Sequence, residues 1–379
     1  MKVDFYRHTL GDDELESIRA TLGSLFLTLG PRVGRFEEAF AARLGVPFVV
    51  GCSSCTTGLT LAMRAMDIGP GDEVITTPMT FCSTSNTIHH IGARHVFADI
   101  DPETGILDPE RVKDKITEKT KAIAVVHLYG QLAPMKAFRA LADAHGLYLI
   151  EDAAHAVESE REGVTVGQLG DAAIFSFYAT KVMTSGDGGA IAVHDEGLRD
   201  RLRRLRNHGV SKDAAARHGG LYQHWDMMEL GYKAAMTDVE AALLLPQLDR
   251  IDAQHASRTA LVERYEHILA DHPDLELVAR NGVSGHHLMT VRVPRGLRDA
   301  VLTGLGQRQV GCAVNYRAVH TLHWYREQFG YRTEDFPRAA DWGDRTISLP
   351  LYPGMPEAHV DAACDALDAA LTDAKAQAA

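Results

Sequence analysis

Between residues 47 and 193 short, uninterrupted apolar runs alternate with segments of helical period, and this alternation constrains the fold more than any other feature. Pro47-Phe48-Val49-Val50, Glu73-Val74-Ile75-Thr76-Thr77, His95-Val96-Phe97-Ala98-Asp99, Ala122-Ile123-Ala124-Val125-Val126, Leu147-Tyr148-Leu149-Ile150, Ala173-Ile174-Phe175-Ser176-Phe177 and Ala190-Ile191-Ala192-Val193 read as strands. Helical stretches separate them, beginning at Leu59 and running over 83–91, 109–116 and 135–145. Most of these strands lack a polar face, so they are buried on both sides, as in a mostly parallel sheet covered by helices. The expected class is α/β, with a seven-stranded sheet in a large domain over residues 1–250 and a smaller α/β domain over 251–379. In such sheets ligands collect beyond the carboxyl ends of the strands.

The flanks read less sharply. Residues 10–45 predict two helices around Gly30-Pro31-Arg32-Val33-Gly34, the first capped by Asp12 or Asp13, the second with Phe36 and Phe40 on one face. Residues 211–230 lack periodicity and predict a mobile surface loop. A long helix from Ile251 to Asp271 then leads to strand candidates at His287–Val293 and Ala313–Tyr316, and an Ala-rich helix over 356–379 with a frayed tail.

A formal charge of −12 on 379 residues argues against a nucleic-acid binder, which would carry a basic stripe. The N-terminus has no apolar leader, and no apolar run approaches the roughly eighteen residues of a membrane span, so a cytoplasmic protein is expected, away from membranes. Five cysteines suggest reduced thiols. Cys52-Ser53-Ser54-Cys55 has C-x-x-C spacing, but no second such pair exists to complete a zinc site, so small residues filling a strand-to-helix turn is the better reading and no metal is expected.

Three features together point to chemistry. Lys181 follows the apolar run ending in Phe177 and precedes Gly186-Asp187-Gly188-Gly189. Most lysines are solvated. One placed between a buried strand and a tight turn, however, can be depressed in pKa and form an imine with an aldehyde. Asp152 ends a strand in Glu151-Asp152; it is either a helix cap or a carboxylate facing a pyridine nitrogen. Ser53-Ser54-Cys55-Thr56-Thr57-Gly58 leads into a helix whose free N–H groups suit a phosphate. Lysine, aspartate and loop are the parts that hold pyridoxal phosphate. Ser176 is a further phosphate candidate, and Phe81 could stack on a flat ring.

The chain also resembles the fold-type I pyridoxal-phosphate aminotransferases of the DegT/StrS type, which act on sugar nucleotides and aminocyclitols. The resemblance runs through Leu29-Gly30-Pro31, Gly69-Pro70-Gly71-Asp72-Glu73, Val126-His127-Leu128-Tyr129-Gly130-Gln131, Glu151-Asp152-Ala153-Ala154-His155-Ala156, Ser176-Phe177-Tyr178-Ala179-Thr180-Lys181, Arg206-Asn207-His208-Gly209, Gly231-Tyr232-Lys233 and Ser348-Leu349-Pro350-Leu351-Tyr352. It implies Lys181 as the cofactor-bearing lysine, Asp152 at the pyridine nitrogen, Phe81 over the ring, His155 near the ring hydroxyl, and Thr56 and Ser176 at the phosphate. It implies a homodimer with shared active sites, in which Lys233 reaches the partner's phosphate.

Cys55 stands where the family carries Gly in this turn. Met289, Ala234 and Ala235 replace commoner polar or aromatic residues and bear on substrate shape. Tyr316, Arg317 and His320 fall in the variable substrate region, and Arg32 is a further candidate for acidic groups. The expected reaction moves an amino group from an amino acid, glutamate or glutamine, to a keto group of a nucleotide-linked sugar or cyclitol. Dehydration on the same cofactor and a catalytically silent binding protein are the alternatives; lysine rather than histidine at position 181 favours amino transfer.

Overall fold

A computed structural model describes residues 1–211 and 224–378; the loop expected over 211–230 lies largely outside the described residues. Among the described residues, the strands of the first part are β1 (Phe48–Cys52), β2 (Glu73–Thr76), β3 (Arg94–Phe97), β4 (Thr120–Val126), β5 (Tyr148–Asp152), β6 (Glu160–Arg161), β7 (Val164–Thr165), β8 (Ala172–Ser176) and β9 (Gly189–Val193). Seven of them form one sheet in the order β1-β9-β8-β5-β4-β2-β3, with β6 and β7 a separate hairpin. The pairings from β3 through β8 are parallel; β9 runs antiparallel to both β8 and β1. The mostly parallel sheet read from the apolar runs is therefore present, with one reversed strand.

Helices cover both faces. The layer includes α1 (Asp12–Leu22), α2 (Pro31–Leu44), α3 (Cys55–Ala65), α4 (Ser83–His90), α5 (Pro109–Lys113), α6 (Met135–His145), α7 (Glu196–Leu205) and α8 (Asp238–Asp249). Phe36 and Phe40 stack at 5.5 Å on α2 and meet Phe175 and Phe177 of the β8 run edge-on. Each fully buried ring of this kind contributes about 1.5–3 kcal/mol. Asp12 and Asp13 do not cap α1. Gly11 occupies that position, and Glu14 accepts its N–H at 2.7 Å while pairing with Arg250. A carboxylate one turn into the helix satisfies the end more directly than one at its first residue.

Beyond α9 (Ile251–Leu269), β10 (Glu276–Leu277), β11 (Met289–Arg292) and β12 (Thr346–Leu349) make an antiparallel sheet. It packs with α10 (Arg298–Gln307) and the terminal helix, which follows α11 (His323–Phe329) and α12 (Pro337–Arg345) and is α13 (Glu357–Ala378). The core here is Val291, Leu305, Ile347, Leu349, Leu367 and their neighbours, and Val3 from the N-terminus joins it. Conversely Val319, Phe336 and Trp342 pack into the first core. The strand expected over 313–316 is reduced to a single bridge between Ala313 and Ser348, because the chain then turns Tyr316 toward the large sheet. The tail is helical through Ala378 instead of frayed. Among the described residues no helix is long and apolar enough to cross a membrane.

Candidate active site

The carboxyl ends of β4, β5 and β8 open into a cleft of about 550 Å³. Its floor is built by β5. Glu151, fully buried, accepts the N–H groups of Gly170 (2.7 Å) and Gly167 (3.0 Å) and meets His127 Nε2 at 2.8 Å. Because the Ala133 N–H donates to His127 Nδ1, the imidazole carries its proton on Nε2 and donates to Glu151. This clamp ties β5 to the segments beside it, and Asp152, the next residue, points to the other face of the strand and into the cleft. Thr84 Oγ1 donates to Asp152 Oδ2 at 2.7 Å and the Ala154 N–H donates to Oδ1 at 3.3 Å, so the carboxylate is oriented from two sides.

Lys181 enters the same cleft from the loop between β8 and β9. Burial pulls its amine down to about 8, opposed by the Cys55 and Asp152 side chains. The amine lies 3.4 Å from His287 Nε2. His155 lines the cleft with its Nδ1 accepting the Tyr129 N–H at 3.2 Å and its Nε2 at 3.1 Å from the Tyr316 hydroxyl. Burial, with Lys181 and His287 nearby, holds His155 far below the usual imidazole range, so it is neutral. With Nδ1 an acceptor, Nε2 carries the proton and donates to Tyr316. Tyr129 presents its N–H from a left-handed conformation (φ 62°).

One wall is the N-terminus of α3. Ser54 caps it, its Oγ accepting the Thr57 N–H at 3.1 Å. The N–H groups of Cys55 and Thr56 take no acceptor among the described residues and lie at the positive end of the helix dipole. Gly189 passes so close that a Cβ there would sit 2.5–2.7 Å from the Ser54 and Cys55 backbone, which fixes this turn against β9. The Cys55 thiol is pushed well up by burial and lies 4.0 Å from Asp152. Cys52 and Cys55 are buried free thiols, so the C-x-x-C spacing fills the turn.

The cleft gathers Cys55, Thr56, Phe81, Asp152, His155, Ser176, Lys181 and Tyr316. Four other candidates lie outside its lining. Arg32 donates from its guanidinium to Ser17 Oγ at 3.3 Å and from its backbone N–H to Asp238 Oδ1 at 2.9 Å; Arg317 and Lys233 are exposed; His320 is fully buried against Phe336 and approaches Thr333 O. His320 is thus packed in the core with Phe336, away from the cleft lining. Met289 and Ala234 are likewise buried away from the cleft. Sequence reasoning missed Thr84 and His287 and gave Asp187 no role. Thr80 and Thr84, four apart just before and just inside α4, were the available signal for the first; the His286-His287 doublet carried none.

A buried amine, an oriented carboxylate and a helix end with two free N–H groups fit pyridoxal phosphate, and the close approach at Gly189 shapes the turn that would receive its phosphate. Fold and site therefore define a fold-type I pyridoxal-phosphate enzyme. The DegT/DnrJ/EryC1/StrS aminotransferase family model matches residues 8–368, and the chain belongs to that family. It is 42% identical over 368 residues to the spore coat polysaccharide biosynthesis protein SpsC of Bacillus subtilis, covering 94% of each chain. Among solved structures it is similar to the putative sugar aminotransferase Spr1654 of Streptococcus pneumoniae in its PMP form (27% identity, TM-score 0.92, covering 98% of this chain and 100% of that one). It is also similar to S. venezuelae DesV in complex with a ketimine intermediate (32% identity, TM-score 0.90, 98% of each). Its cofactor is pyridoxal phosphate.

Proposed function

We propose that this chain transfers an amino group from glutamate or glutamine to a keto group on a nucleotide-linked sugar or a cyclitol. The observation that carries this reading is the joint presence of Lys181 and Asp152 in one cleft beside the open end of α3. Similarity to Helicobacter pylori PseC, an aminotransferase involved in the biosynthesis of pseudoaminic acid (25% identity, TM-score 0.91), and to the proteins above supports a sugar as the acceptor.

Bound pyridoxal phosphate supplies an electron sink for the donor Cα. Lys181, whose amine is pulled down to about 8 by burial, would serve as the base and acid that carries the donor's Cα proton. Asp152, held by Thr84, would hold a proton at the pyridine nitrogen of the bound cofactor. The Cys55 and Thr56 N–H groups and Ser176 would hold its phosphate, and Phe81, His155 and Tyr316 would line the space around its ring.

Among the described residues Lys181 is the one cation lining the cleft, whereas phosphate and carboxylate groups of cofactor and substrates are anionic. A second copy supplies the missing charge through Lys233. The exposed Leu22, Leu25, Leu27, Trp225, Met227, Met228 and Leu230 give the apolar surface such a homodimer would bury.

Glutamate added to the loaded enzyme should shift the cofactor absorbance and yield 2-oxoglutarate, and Lys181→Ala should do neither. A loaded enzyme inert to every amino donor would sink this reading. Mixing Lys181→Ala with Lys233→Glu chains should restore part of the lost activity, since one hybrid site is whole; no restoration removes the shared-site proposal.

A further inference from the structure

One close neighbour of Lys181 has no part in the roles above. His287 is delivered by a turn that precedes β11. The Gly285 N–H donates to Gly130 O at 2.8 Å and lies 3.2 Å from Ser159 Oγ, and His286 takes a left-handed conformation (φ 46°) to pass the imidazole inward. Gly130 permits this approach, since a Cβ there would meet the His286 nitrogen at 2.9 Å. Behind the turn, Arg258 of α9 is 2% exposed, donates from Nε to Gly285 O at 3.3 Å and pairs with buried Glu158 at 2.5 Å. This ion pair is a deeply desolvated one, and its arginine anchors the turn that carries His287. On the other side the imidazole lies 4.3 Å, ring to ring, from His155.

The surroundings decide what the imidazole can do. Burial, with the positive charges of Lys181 and Arg258, keeps it far below its ordinary pKa, so it is neutral. A lysine ammonium has three donors and no acceptor. The nitrogen facing it must therefore be the unprotonated one, which places the His287 proton on Nδ1. Asp152 and Cys55 lie on the cleft side of the amine, His155 and Tyr316 beside it, and Arg258 with Glu158 behind. Lys181, His287 and Arg258 also border a second, narrow opening of about 30 Å³ on the side away from the cleft, roofed by residues 6–9.

We infer that His287 is the positioning residue of Lys181: its Nε2 accepts a hydrogen bond from an amine N–H and so turns the lone pair of the neutral lysine into the cleft. This rests on the aminotransferase reading of Lys181. An untethered lysine explores many rotamers, and fixing its lone pair raises the fraction poised for proton transfer.

The test uses His287→Leu, which removes the acceptor, and His287→Gln, whose amide oxygen can take the place of Nε2. In the full-length chain stripped of cofactor, the pH dependence of Lys181 reductive methylation, read by mass spectrometry, gives the amine's midpoint. His287→Leu should lower that midpoint, because an acceptor that favours the ammonium is gone, and His287→Gln should leave it near the wild-type value. With cofactor restored, the half-reaction with glutamate should slow roughly 10- to 100-fold in His287→Leu and stay within about threefold of wild type in His287→Gln. A midpoint that stays put or rises in His287→Leu, or a glutamine variant as slow as the leucine one, overturns the inference. If the wild-type enzyme performs no half-reaction at all, the aminotransferase reading falls instead, while the methylation midpoint still judges His287.

Discussion

The floor and the rim of the cleft are built differently. On the floor, Glu151 and Asp152 are held by three backbone N–H groups, a histidine and a threonine, all on or beside strands of one sheet. At the rim, Phe81 is 55% exposed and Tyr178 53%, and Tyr316 and Asn315 come from a segment with one bridge to the small sheet. The floor fixes where bonds are made. The rim leaves side-chain surface free for whatever acceptor is bound. Precise placement and variable recognition are thus separated within a single cleft.

Substitutions can break or sharpen this contrast. The largest effect belongs to the floor: Lys181→Ala should cut amino transfer by at least ~10⁴-fold with an unchanged fold, and a loss under tenfold would move the chemistry elsewhere. Glu151→Ala strands two backbone donors and His127, so urea unfolding should report a loss of about 3 kcal/mol; a loss below about 1 would mean that the clamp does not hold the strand.

The buried amine makes stability depend on pH. Its proton is held less tightly in the folded chain (about 8) than in the unfolded one (10.5), so this group adds stability as pH rises through that window, by at most roughly 3 kcal/mol. Comparison of wild-type and Lys181→Met melting across the window, without cofactor, reads this difference; identical slopes refute it. Ser54→Ala should cost about 1 kcal/mol through loss of the α3 cap and weaken phosphate binding, both measurable by titrating the chain with cofactor during thermal melts. The smallest effect falls on the rim. Tyr178→Leu should change acceptor KM by an amount worth about 0.5–1.5 kcal/mol and leave donor turnover intact; a large loss in the donor half-reaction would make Tyr178 part of the floor.

Much of the floor was legible in the sequence because its signals are local. A buried strand shows as an apolar run, a strand-terminal aspartate and a capped helix start occupy adjacent positions, and Lys181 stands between an apolar run and a glycine turn. Thr84 and His287 were not legible, since each is defined only by what it meets 68 and 106 residues away in the chain. The rim misled in the opposite way. Ala313-Val314-Asn315-Tyr316 has strand-like composition, yet after one bridge its aromatic ring serves the cleft. His320 follows Arg317 by three residues in a short irregular segment of the sequence and lies inside a core in space. Burial of a lone histidine depends on a segment folding back, which no short pattern encodes.

Asp152 ends β5 in register with Ile174 of β8, and Lys181 follows in the loop that leaves β8. Their placement depends on the sheet and that one loop. Helices on the outer layer could lengthen, surface turns could be exchanged, and the acceptor's binding walls could be rebuilt without disturbing it. A scaffold arranged in this way can diversify what it aminates while inheriting how it does so.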